Sequence, residues 1–160
     1  MANPDHVAQL RAGQWNEWRA ANPSLAPDLI DAELAGMDLC NVDFSKAHLR
    51  GANLSDSNLD GADFSRAILE AANVRGASMV GARLDHVRFE FLDMTDLDLS
   101  NASLREAIFR GANLTRAILR RADLSRANLE SAIFDGADLS GAILRAASLR
   151  GARFDRAVMR

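Results

Sequence analysis

Between Leu34 and Met159 one apolar residue recurs every five positions without a slip, running through Leu39, Phe44 and Leu49 to Leu149 and Phe154 and making 26 centres. Two residues before most centres sits a small side chain, as at Ala47, Ala52, Ala62, Ala112, Ala122 and Ala152, and the remaining positions are mainly Asp, Asn, Ser, Arg and Glu. A period of five fits neither the 3.6-residue stripe of an amphipathic helix nor the strict alternation of a strand, so each unit contains its own bend. Fixed-period self-similarity of this kind predicts a stacked solenoid. Within a short extended segment the centre and the small residue two before it point to the same side, so the two together fill a narrow shaft. Burying one Leu or Phe contributes about 1.5–3 kcal/mol, whereas ordering five residues costs about 1–2 kcal/mol of backbone entropy each; no repeat stands without its neighbours.

The glycines place the bend. Nine of the ten fall two residues after a centre, and only Gly13 lies outside the array. A slot that favours Gly calls for a positive φ, as at the third residue of a type II turn, and Asn41 and Asn101 share that slot. The units Ala52-Asn53-Leu54, Ala112-Asn113-Leu114, Ala122-Asp123-Leu124 and Ala137-Asp138-Leu139 resemble the pentapeptide-repeat family. The resemblance implies an all-β solenoid, a right-handed quadrilateral β-helix with four repeats per coil. Residue n then lies above residue n − 20, and at ~4.8 Å per coil the rod is roughly 30 Å long.

The first residues differ in kind, and the expected division is an N-terminal capping helix with its linker over 1–26 and the repeat β-helix over 27–160. Asn3-Pro4 reads as a helix start; Val7, Leu10, Trp15 and Trp18 then share one side of a helix that Asn22-Pro23 ends, with Gly13 weakening its middle. An open β-helix end exposes backbone groups and core side chains, and a helix carrying Trp15 and Trp18 is suited to plug it. The alternative is a partner-binding helix.

The least regular coil runs from Val87 to Leu99. Val87, Leu92 and Leu97 occupy the small-residue slot in succession, so this coil must widen or shift. Phe91 is placed outward there among Asp85, Glu90, Asp93, Asp96 and Asp98, a candidate partner surface whose alternative is drift in a long array. Elsewhere, Arg50, Glu70, Glu90, Arg110, Glu130 and Arg150 are expected to form one outward column with four favourable contacts and a repulsive one between Glu70 and Glu90.

Composition narrows the functions. The net charge of −3 divides into −8 over residues 1–100 and +5 over 101–160, so one end is acidic and the other basic. The lone Cys40 excludes an internal disulfide and a cysteine-based metal cluster, and it is expected outward. His6, His48 and His86 are far apart along the rod, and neither a nucleophile elbow nor a phosphate-cradling glycine loop occurs. The expectation is a non-enzyme with no cofactor, no catalytic residues and no metal. No stretch approaches the ~20 apolar residues of a membrane span, and Asp5, His6 and Gln9 interrupt any signal-peptide core, so a cytoplasmic bacterial protein with no membrane partner is expected.

The leading functional reading is a protein-interaction or scaffold rod whose partner is unidentified. The alternative, implied by the resemblance, is a DNA-mimicking binder or inhibitor of DNA gyrase, a role that calls for an acidic rod and usually a C-terminal dimerisation helix. Nucleic-acid binding through the basic end has a partly basic column, Lys46, Arg66, His86, Glu106 and Arg126, but no stacking aromatics. An uncovered final coil carrying Leu144, Leu149, Phe154 and Met159 suggests a homodimer, C-terminal coil to C-terminal coil.

Overall fold

The structure is a computed structural model that describes residues 1–160. Two short helices, α1 (Pro4–Arg11) and α2 (Trp15–Ala21), precede a solenoid in which each coil of twenty residues pairs in parallel with the next. The pairing begins at Asp28 with His48 and ends at Asp138 with Val158. Each coil has four sides, and each side is too short to give more than a single bridge. Along a side the centre donates upward and the small residue two before it accepts from above: Leu34 N–H to Asn53 O at 2.8 Å, and Asn53 N–H to Ala32 O at 2.9 Å.

Every corner carries the left-handed residue that the glycine slot predicts. Its φ lies between 56° and 70° from Asp31 to Arg156, and seventeen of these corners are not glycine. The residue before the corner is not left-handed and the turn closes from i to i+3, as in Ala52 N–H to Leu49 O at 3.0 Å, which is the type II pattern. A non-glycine residue there is strained, so the shared ladder and core must hold it. The Asp or Asn before many centres helps: the Asp43 carboxylate accepts from Ser45 N–H at 2.9 Å and Asn113 from Thr115 N–H at 3.1 Å, the Asx geometry that stabilises a turn.

The shaft is apolar and filled. Centres and small residues form one core from Leu29 to Leu139. Phenylalanines twenty apart stack face to face, Phe44 on Phe64 at 5.1 Å, Phe89 on Phe109 at 4.9 Å and Phe134 on Phe154 at 5.0 Å, which fixes the coil at twenty residues. In the last coil the centres are no longer covered, and Leu149 and Met159 are exposed.

The single N-terminal helix expected from the sequence is corrected to two. Gly13 takes a φ of 69° and the chain turns there, so Leu10 and Trp15 enter the core from separate helices. Trp15 is buried against Phe44 at 5.9 Å and its indole N–H donates to Asp43 O at 2.7 Å. Trp18 is only half-buried; it stacks between Trp15 and His6 at 5.1 and 4.8 Å. Asn16 imitates a strand, donating to Asn41 O and accepting from Asp43 N–H, both at 2.9 Å, so backbone groups of the first coil are satisfied.

Candidate functional surface

Arg19, two residues before the end of α2, is buried at 3% exposure. Its guanidinium donates to Leu25 O at 2.8 Å and to Ser45 O at 3.1 Å, and lies 3.4 Å from the Asp43 carboxylate. It ties the helices to both the linker and the first coil. A helical Arg beside two tryptophans reads as a surface residue, so nothing in the sequence marked this one.

The acidic coil does not form one patch. Glu90, Phe91, Asp93 and Asp96 occupy successive sides and corners, whereas Asp98 lies on the third side and Asp85 on the fourth. Phe91 is 75% exposed, and its ring lies over Gly111 in the coil above, where an added Cβ would stand 2.7 Å from the ring. Most acids here are held rather than free. The Asp96 carboxylate takes both forks of Arg116, at 2.7 and 2.6 Å, which hold its pKa below the usual range. Asp93 accepts from the Thr95 hydroxyl at 2.6 Å, the main cause of its own lowered pKa, and faces Arg75 at 3.4 Å. Glu90 pairs with Arg88 at 2.7 Å; Asp85 accepts from Ser103 and from Arg105 N–H, and Asp98 from Ser100 N–H.

The outward column from Arg50 to Arg150 is stacked, as Gly51 N–H to Glu70 O and Gly111 N–H to Glu130 O show. Of its four expected favourable contacts only Glu130 with Arg150 closes, at 3.1 Å. Several arginines reach diagonally instead, to an acid eighteen residues on: Arg75 to Asp93, Arg105 to Asp123 and Arg120 to Asp138. An Arg just after one centre leans toward the Asp just before the centre above. An n/n + 18 search of the sequence would have found these pairs. The Lys46-to-Arg126 column contains Glu106, which lies between His86 at 3.4 Å and Arg126 at 3.5 Å. Cys40 is exposed.

Asp138 gives a pH test. The Ser140 hydroxyl, then the Ser140 N–H and Arg120, pull its pKa down to about 2. A carboxylate depressed on folding contributes stability that is complete above its unfolded value of about 3.9 and disappears as pH falls through the folded value. An NMR titration is expected to place the Asp138 carboxyl midpoint near pH 2, and Ser140→Ala to move it upward. A midpoint near 4 in both proteins would remove this interaction from the solution structure.

A four-sided parallel solenoid with a packed shaft and a fixed lattice of surface charges defines a repeat protein of the solenoid class. The sequence profile of pentapeptide repeats (8 copies) matches residues 28–66, 47–85, 82–121 and 122–160. The chain therefore belongs to the pentapeptide-repeat family, whose fold is the right-handed quadrilateral β-helix. Among solved structures, alr5209 from Nostoc PCC 7120 is 32% identical, with 52% of this chain and 84% of that one covered and a TM-score of 0.48. Trypsin-treated QnrB1, a plasmid-mediated fluoroquinolone resistance protein, is 20% identical over 82% of this chain and 86% of its own, with a TM-score of 0.50. HetL from Nostoc sp. PCC 7120, involved in heterocyst differentiation regulation, is 28% identical over 82% and 88%, with a TM-score of 0.27. No curated protein matches at a significant level. No helix is long and apolar enough to cross a membrane.

Proposed function

We propose that this chain is a non-enzymatic interaction rod that recognises another protein through the coil carrying Phe91. The observation that carries the reading is Phe91 itself. A large aromatic side chain is held outward at a left-handed corner, on a backbone fixed by the coil above, with Glu90, Asp93 and Asp96 beside it. Rigid presentation lowers the entropy lost on binding, and a lone aromatic among polar neighbours has the make-up of an interface anchor. A photoreactive phenylalanine analogue at position 91, expressed in the native host, is expected to cross-link one discrete protein. The same analogue at the exposed Ile143 should not. Equal labelling from both positions would overturn the proposal.

The alternative is a DNA-mimicking binder or inhibitor of DNA gyrase. Duplex mimicry calls for rows of carboxylates free to stand in for phosphates. Asp63, Asp93, Asp96, Asp123 and Asp138 each lie against an arginine here, which favours the general interaction reading. Gyrase supercoiling is accordingly expected to be unchanged by the purified protein.

A second copy is the proposed occupant of the terminal coil, where Leu149 and Met159 stand exposed. Light scattering is expected to show a mass of about twice 17.4 kDa at tens of micromolar and a return to one chain for Met159→Glu. A monomer in both would exclude this dimer.

A further inference from the structure

One step of the solenoid differs from the rest. Between the coil of residues 67–86 and that of 87–106, the ladder is stretched along the first two sides; Ile68 still bridges Arg88, but the well-formed bonds of the other steps are absent. Leu69 and Val74 do not donate to Arg88 and Asp93, the corner amides of Ala71 and Gly76 do not reach Glu90 and Thr95, and Arg88, Asp93 and Asp98 do not donate back to Ala67, Ala72 and Ala77. Asn73 with Asp93 is also the one bridge missing from an otherwise continuous series. The other half of the same step keeps its upward bonds, Met79 to Asp98, Gly81 to Ser100, Leu84 to Ser103 and His86 to Arg105, and both its bridges, Ser78 with Asp98 and Arg83 with Ser103. The steps directly below and above keep their bonds on all four sides.

Side-chain volume accounts for the position of this parting. Val87, Leu92 and Leu97 are buried in slots that hold Ala67, Ala72 and Ala77 below and Ala107, Ala112 and Ala117 above. The widened coil is fastened to the coil above by the Phe89–Phe109 stack and by the Phe91 ring resting on Gly111. Below it the shaft offers Leu69 and the small Val74, with no aromatic stack, so the mismatch falls on that step. Across the parted side the Arg75–Asp93 ion pair, with both side chains largely in solvent, is a weak tie.

We infer that the rod is hinged at this step: the part below residue 87 and the part above it bend by opening the sides at 67–76 and 87–96 about the intact sides at 79–86 and 99–106. Repeat arrays are held by nearest-neighbour interfaces, so one weakened interface divides an otherwise rigid solenoid into two bodies. Phe91, Asp93 and Asp96 lie on the side that opens but stay fastened to the coil above, so their surface moves as a rigid unit and only its angle to the lower part varies. The hinge does not depend on the identity of any partner.

Spin-label distances on the full chain test this directly. Cys40 and Arg120→Cys lie on the intact side, four coils apart, roughly 19 Å along the rod; in a Cys40→Ser background, Ala35→Cys and Thr115→Cys span the same step on the parted side. The hinge predicts a distance distribution at least about twice as broad for the second pair. Leu92→Ala is expected to narrow it and to slow amide exchange at Val74 and Asp93 about tenfold or more, because the thinner coil lets the ladder close. Ordinary loosening of a truncated core would do the reverse. Equal widths for the two pairs, or faster exchange at Val74 and Asp93 in Leu92→Ala, would overturn the hinge. Should that variant not fold, exchange in the unaltered protein decides: Val74 and Asp93 as protected as Leu54 and Leu114 would refute it.

Discussion

Phe109→Ala is expected to destabilise the rod by about 3–5 kcal/mol, among the largest effects of any single truncation in this chain. Phe109 is fully buried and stacks on Phe89, and its neighbours in the slot, Ala107 and Ala112, are too small to move into the space. The backbone on either side is pinned above and below by the ladder, so the shaft cannot collapse around the cavity. Urea unfolding followed by far-ultraviolet circular dichroism measures the loss. Because a repeat array need not unfold in one step, the comparison belongs at matched denaturant concentrations along the whole curve. A midpoint within experimental error of the unaltered protein would remove Phe109 from the core.

Loss of the helical end is expected to be nearly as costly. Trp15→Ala removes a buried indole from the surface of Phe44 and leaves Asp43 O without its donor, an expected cost of about 3–5 kcal/mol. Removing residues 1–24 goes further. It uncovers Leu29, Leu34 and Phe44, frees the amide of Asp43 that Asn16 satisfies, and deprives Ser45 O of Arg19. An apolar shaft rimmed with unpaired strand edges associates with whatever fits it, so the shortened chain is expected to aggregate in size-exclusion chromatography. A soluble, equally stable product would show that the helices are not needed as a lid and would favour their use as a recognition element.

The regular part of this fold was legible because a solenoid repeats one solution. An apolar centre every five residues, a small partner two before it and a left-handed slot two after it are sufficient to fix core, sides and corners, and the phenylalanine stacks follow from the coil length. Side-chain partners were less legible. Arg88 has Glu70 one coil below and Glu90 two residues on, and it is local geometry, not spacing along the column, that gives it to Glu90. The buried Arg19 was invisible because its acceptors are mostly carbonyls, which every residue possesses. Gly13 signalled a weak point in the helix without saying that the chain would turn there. For Val87, Leu92 and Leu97, residue volumes exposed the misfit, but the choice of which neighbouring step yields depends on Phe89 and Phe91 together.

The twenty-residue coil also sets how such a gene can change. Gaining or losing one five-residue unit leaves every centre in the shaft, yet it rotates everything beyond that point by a quarter turn. Pairs such as Asp96 with Arg116 or Glu130 with Arg150 survive only if nothing is inserted between them, because even a whole added coil would leave the partners two coils apart. Single-unit duplications therefore act like the dials of a combination lock: the barrel stays sound while the faces it displays are reshuffled.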